Sequence, residues 1–189
     1  MTHDKVTGVP PSSQKARQLW EVTQISHRVD EPHLWVWQGN SARSPNRAAD
    51  EWRSGHLTVH TLRGSIMSTP SRLFVEFSFA LQFPPFYGEP WSGLAENLND
   101  LSWITPQRAH VVVFTDPSRI LKESQDELPT LVGLLSDVCA RWTSRAREAE
   151  QRHRPPVSFQ VVLATRSAPE TAQVMHTWRE AGARLSRLR

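Results

Sequence analysis

Apolar residues recur along this chain with two different periods, and the changes of period divide it into elements. Short alternating or continuous apolar runs lie at residues 33–38 (HLWVWQ), 57–62 (LTVHTL), 110–116 (HVVVFTD) and 157–165 (VSFQVVLAT). Each is bounded by Gly, Pro or polar residues and reads as a strand. The run at 110–116 is nearly continuous and β-branched, which predicts a strand covered on both faces at the centre of a sheet. Elsewhere the spacing is helical. Thr69 as N-cap and Pro70 at the first helical position precede Leu73, Phe77, Ala80 and Leu81. Pro90 opens a second helix, with Trp91, Leu94, Leu98 and Leu101 on its buried side and Ser92, Glu96 and Asn99 on another. An S-x-x-E capping box, Ser124 and Glu127, stands ahead of Leu131, Leu134, Leu135, Val138 and Trp142, followed by a charged, frayed tail over 141–154. A second box, Ser167 and Glu170, starts a terminal helix carrying Val174 and Trp178 up to Gly182. Residues 1–32 read as polar and irregular, and 41–53 as a polar linker. The order strand, helices, strand, helix, strand implies parallel strands joined by right-handed crossovers in an α/β layer.

Composition narrows the functional classes. At 189 residues, 38% apolar and 22% charged, with eight Trp, the chain can bury a real core. Cys139 is the single cysteine, so no internal disulfide or cysteine-based zinc site is expected, and a reducing compartment fits. No signal-like or membrane-length apolar stretch occurs, and the expectation is a soluble cytoplasmic protein without membrane association. The eight His are scattered without an H-E-x-x-H pattern, and no phosphate-cradling or nucleophile-elbow motif is present. The reading is therefore of a non-enzyme with no cofactor and no metal.

The net charge of +3 hides an uneven distribution. Residues 56–140 carry five basic and nine acidic side chains, and between Arg72 and Arg108 there is no Lys or Arg, while Glu76, Glu89, Glu96 and Asp100 fall in that gap. A local negative potential is expected there, attracting a basic partner and making nucleic acid a poor one.

The stretch 83–103, FPPFYGEPWSGLAENLNDLSW, resembles the barstar family of ribonuclease inhibitors, in which an aromatic pair, a Gly and an acidic residue open an acidic helix. Residues 57–165 can be laid on that fold. The resemblance implies a three-stranded parallel sheet packed with about four helices over residues 56–166. Residues 1–55 would form an N-terminal extension with an added edge strand at 33–38, and 167–189 a C-terminal helix. It places the family's inhibitory acidic pair on Ser92 and Glu96, so that one acid is missing, and its aromatics on Phe86 and Tyr87. The family's further acid matches Glu127. Gly88 serves the loop, Glu89 and Asp100 enlarge the field, and Trp91 and Trp103 give apolar contact or support. The implied activity is inhibition of a secreted or toxin-type microbial ribonuclease, a basic protein, by a chain that is a monomer when free; a carboxylate on a rigid helix would take the place of an RNA phosphate.

Plainer roles stand beside these. Glu96 suits ordinary solvation of a helix face, Glu127 a capping box, and Trp91 the core. Two other functions fit the same residues: an adaptor that keeps the fold and binds a different basic protein, and a nucleic-acid-binding module using Arg141, Arg145, Arg147, Arg152, Arg154, Arg184, Arg187 and Arg189.

Overall fold

A computed structural model describes residues 21–23, 25, 34–84, 90–105, 109–153 and 155–188. Strands β1 (Leu34–Gln38), β2 (Thr58–Arg63), β3 (Ala109–Thr115), β4 (Ser158–Thr165) and β5 (Leu185–Leu188) form one sheet in the order β2-β3-β4-β1-β5. Every neighbouring pair is parallel. The helices are α1 (Pro45–Ser54), α2 (Pro70–Leu81), α3 (Pro90–Asp100), α4 (Leu128–Gln151) and α5 (Ala168–Glu180). All positions of β3 and β4 are buried, as expected of strands covered on both faces, and the largely apolar runs include the buried polar residues His110, Thr115, Ser158, Gln160 and Thr165.

The sheet has two cores. On one face Leu62, Val112, Phe114 and Leu163 meet α2, α3, α4 and α5. On the other, Trp35, Trp37, Val111 and Val162 meet α1 and the helical residues Val22 and Ile25. The handedness of parallel crossovers explains the split. The chain leaves β1 towards β2 at one edge, then steps back through β3 and β4 and on to β5 in the opposite direction, so α1 lies on the face opposite the other helices.

This architecture corrects the three-stranded sheet of the sequence reading. β1 is no edge strand: it pairs with β4 on one side and β5 on the other. β5, with the sequence LSRL, is too short and too charged to carry a strand signal of its own. The presumed linker holds α1, capped by the Ser44 side chain on the Arg47 N–H and anchored through Ala48, Ala49 and Trp52. Such a narrow stripe escapes periodicity. The cap at Thr69 forms, as does that of Ser167 on the Glu170 N–H. The Ser124 box does not: a 3-10 turn, Gln125–Glu127, precedes α4, and neither Ser124 nor Glu127 makes a side-chain cap bond. In place of a frayed tail, α4 stays helical to Gln151.

Two glycines contrast a tightly packed strand end with an open helix surface. A Cβ on Gly64 would stand 2.4 Å from the Asp116 carbonyl oxygen and 2.6 Å from that of Thr115. These are backbone atoms and cannot yield without moving β3. Gly133, in α4, has nothing within 4 Å of an added Cβ. Gly64→Ala is expected to cost about 1–3 kcal/mol by overpacking, and Gly133→Ala to gain up to about 1 kcal/mol in helix propensity, both read from urea unfolding midpoints.

Candidate functional site

α3 is held stiffly. Leu94, Leu98 and Leu101 are buried beneath it, and α4 braces its carboxyl end, where Trp142 Nε1 donates to the Leu98 carbonyl at 2.9 Å and Arg145 Nη1 donates to the Asn99 carbonyl. The exposed side presents Ser92, Glu96 and Asp100, which with Ala95, Asn99, Arg141 and Arg145 line an open groove between the two helices. Trp91 is half-buried and meets Phe74 edge-on at 4.9 Å. Trp103 packs edge-on against Phe83 and donates from Nε1 to the Leu81 carbonyl at 2.9 Å, so its polar end is spent on holding the chain after α2. Glu127 is half-buried at the start of α4, away from the residues lining the groove. Phe86, Tyr87, Gly88 and Glu89 lie outside the described residues.

The expected negative field does not survive this geometry. Glu76 is buried and accepts from the Arg63 N–H at 2.9 Å and from Nε and Nη2 at 3.0 Å each. Burial opposes its ionisation, but the hydrogen bonds and charge of Arg63 hold its carboxyl below the usual range. Glu96 and Asp100 share their groove with Arg141 and Arg145. These arginines follow the acids by more than forty residues, so a count along the chain could not place them together.

A second constellation lies where the strand order reverses. α1 leaves β1 on one face and α5 leaves β4 on the other, and the crevice beyond the carboxyl ends of such adjacent strands is the general ligand site of open α/β sheets. Here the crevice is lined by Glu21, Trp37, Gln38, Asn40, Arg43 and Thr171, among others, and its volume is about 220 Å³. The loop after β1 is a closed turn: the Gly39 N–H donates to the Thr165 carbonyl at 2.8 Å, and Asn40 Oδ1 accepts from the Ala42 and Arg43 N–H groups at 2.9 and 3.0 Å. A Cβ on Gly39 would stand 2.7 Å from the Arg43 carbonyl oxygen. A phosphate cradle needs free backbone N–H groups, and this turn has used those of Ala42 and Arg43.

The Glu21 carboxylate, only 1% exposed, packs beside the turn as part of the crevice wall. It accepts from Arg43 Nη1 and Nη2 at 2.7 Å each, from Trp52 Nε1 at 2.9 Å and from Trp37 Nε1 at 3.2 Å. Arg43 Nε donates to Glu51 at 2.7 Å. Burial works against the Arg43 charge, but the hydrogen bonds and charges of Glu21 and Glu51 outweigh it and raise its pKa. At the end of β3, Asp116 pairs with Arg166 at 3.0 Å. Sequence reasoning missed this network entirely. Its one visible signal was the density of Trp before residue 55, which marks packing without naming a partner. Among the described residues no cluster of His, Cys, Asp or Glu could hold a metal ion, and no helix is long and apolar enough to cross a membrane.

A family model described as Barstar (barnase inhibitor) matches residues 57–164. No curated protein matches the chain. Among solved structures, the ORC1 protein of Aeropyrum pernix in complex with DNA matches at 12% identity over 96% of this chain and 46% of its own, with a TM-score of 0.51. The ORC2 protein of Aeropyrum pernix, solved in ADPNP–ADP complexes, matches at 12% identity over 97% of this chain and 49% of its own, with a TM-score of 0.50. The chain thus spans about half the length of these proteins, and the likeness is one of fold. It extends over the five-stranded sheet, whereas the family match ends within β4. The reading of the chain as an inhibitor that blocks a ribonuclease with an acidic helix is therefore corrected: the five-stranded fold is like that of the ORC1 and ORC2 proteins, and the expected acidic surface is a mixed-charge groove.

Proposed function

The chain belongs to the barstar family, and from that premise we propose that it is a non-catalytic protein-binding module that engages its partner through the α3–α4 groove. The observation that carries the reading is the bracing of α3 by Trp142 and Arg145. Binding loses least entropy where the presenting element is already fixed, and α3 offers Glu96 and Asp100 beside Arg141 and Arg145 on such an element. A groove of both signs fits a partner surface of both signs and disfavours a polyanion. Nucleotide chemistry is disfavoured, because the chain's own ion pair forms part of the wall of the crevice at the sheet's switch point and the turn there has already used the N–H groups of Gly39, Asn40, Ala42 and Arg43.

Affinity capture from the native host with three forms of the full chain tests this. Wild type and Gly133→Ala are expected to retain the same protein, while Ala95→Trp, which fills the groove, loses it at least tenfold. Retention undiminished by Ala95→Trp, or recovery of nucleic acid alone, would remove the groove as the binding surface.

A further inference from the structure

We propose that the donor cluster of Trp37, Arg43 and Trp52 beside the crevice beyond β1 and β4 is a carboxylate-binding site, occupied in the resting protein by the chain's own Glu21. The receptor is built from the body of the fold. Trp37 belongs to β1, Trp52 to α1 and Arg43 to the turn between them, and their donors converge on one point. The guanidinium offers Nη1 to one Glu21 oxygen and Nη2 to the other at 2.7 Å each, the forked match that a planar carboxylate makes and a point charge does not. Each of those oxygens also takes one indole N–H, Trp37 on Oε1 and Trp52 on Oε2. Glu51 holds Nε from behind and so fixes the plane of the fork, and the guanidinium lies 5.3 Å from the centre of the Trp37 ring.

The ligand, by contrast, is a single side chain on a helical turn that precedes the sheet in sequence and is held by Val22 and Ile25 against the α1 face. A prebuilt four-donor receptor with its anion supplied from outside the sheet is a binding site occupied in cis. The chemistry selects one carboxylate, such as the side chain of an acidic residue. The closed turn leaves no free N–H of Ala42 or Arg43 for a run of phosphates.

Acetate is the fragment that Glu21→Ala deletes, and it is the probe. In the full-length Glu21→Ala chain, acetate is expected to raise Tm by several degrees in a saturable manner, relative to chloride at equal ionic strength. Glu21→Gln, whose side chain still fills the space, and Glu21→Ala combined with Arg43→Ala should both respond to acetate as to chloride. If Glu21→Ala does not hold its fold in chloride, acetate is expected to restore the near-ultraviolet circular dichroism of its buried tryptophans. Equal behaviour in acetate and chloride overturns the proposal, whether the variant is folded or not, and so does an equal acetate response in the Glu21→Gln control.

Discussion

Arg43→Ala is expected to destabilise the chain by about 3–5 kcal/mol, because it strands the buried Glu21 carboxylate without its counter-charge. The magnitude follows from what is left behind. Glu21 would keep two indole donors, Trp37 and Trp52, but lose both guanidinium bonds in a site from which water is largely excluded. Glu51, half-buried, would lose its Nε contact as well. Arg43→Lys should recover only part of the loss, since an ammonium cannot reach both oxygens and Glu51 in one plane. Removing both charges tests the cause: Glu21→Gln with Arg43→Ala is expected to be more stable than Arg43→Ala alone, giving a coupling energy of about 1–3 kcal/mol in a double-mutant cycle. Urea unfolding followed by tryptophan fluorescence reads all four proteins. A loss below about 1 kcal/mol for Arg43→Ala would mean that the network is not the clasp described here.

The second large effect is acid sensitivity. His60 in β2 and His110 in β3 stack with ring centres 6.0 Å apart, and Trp142 meets His110 edge-on at 5.3 Å. His110 is fully buried, and neither of its nitrogens has a hydrogen-bond partner among the described residues. Burial, and then the neighbouring His60, lower its pKa to about 4. His60 is also lowered, chiefly by burial, with its hydrogen bond to the Ala80 carbonyl opposing and Arg53 adding to the shift. Both folded-state values lie below the unfolded one, so the unfolded chain takes up protons first as pH falls. The stabilisation is complete above about pH 6.5 and is lost progressively towards pH 4. From His110 alone this amounts to about 3 kcal/mol. Melting temperatures between pH 7 and pH 4.5 should therefore fall steeply, and less so in His110→Phe. An equal pH slope in the variant would refute the assignment to this pair.

How much of this was legible beforehand depends on whether an element states its environment locally. β3 did so, because a nearly continuous β-branched run has no polar face to show solvent; β4 read only as a strand, since Ser158 and Gln160 interrupt its apolar run. α3 did so as well, through Leu94, Leu98 and Leu101 at helical spacing. α1 did not: three apolar residues, two of them alanines, carry little signal, and its Ser44–Pro45 start lay in what looked like a linker. β1 read as a strand, but its place between β4 and β5 depends on a four-residue partner at the far end of the chain. The site failed for a related reason. Glu96 was correctly expected on the outer side of α3, yet its electrostatic surroundings are set by Arg141 and Arg145, which arrive through tertiary folding. Glu21 and Arg43 are ordinary surface-type residues in sequence, and only the crossing of two connections at a sheet reversal makes them a buried pair.

The central claim is that the crevice beyond β1 and β4 is walled by the chain's own Glu21–Arg43 clasp in place of a phosphate cradle. Isothermal calorimetry of the full-length wild-type chain with ATP and magnesium tests it most directly. The account predicts no saturable heat up to millimolar nucleotide. Stoichiometric binding in the micromolar range, with or without hydrolysis, would contradict it.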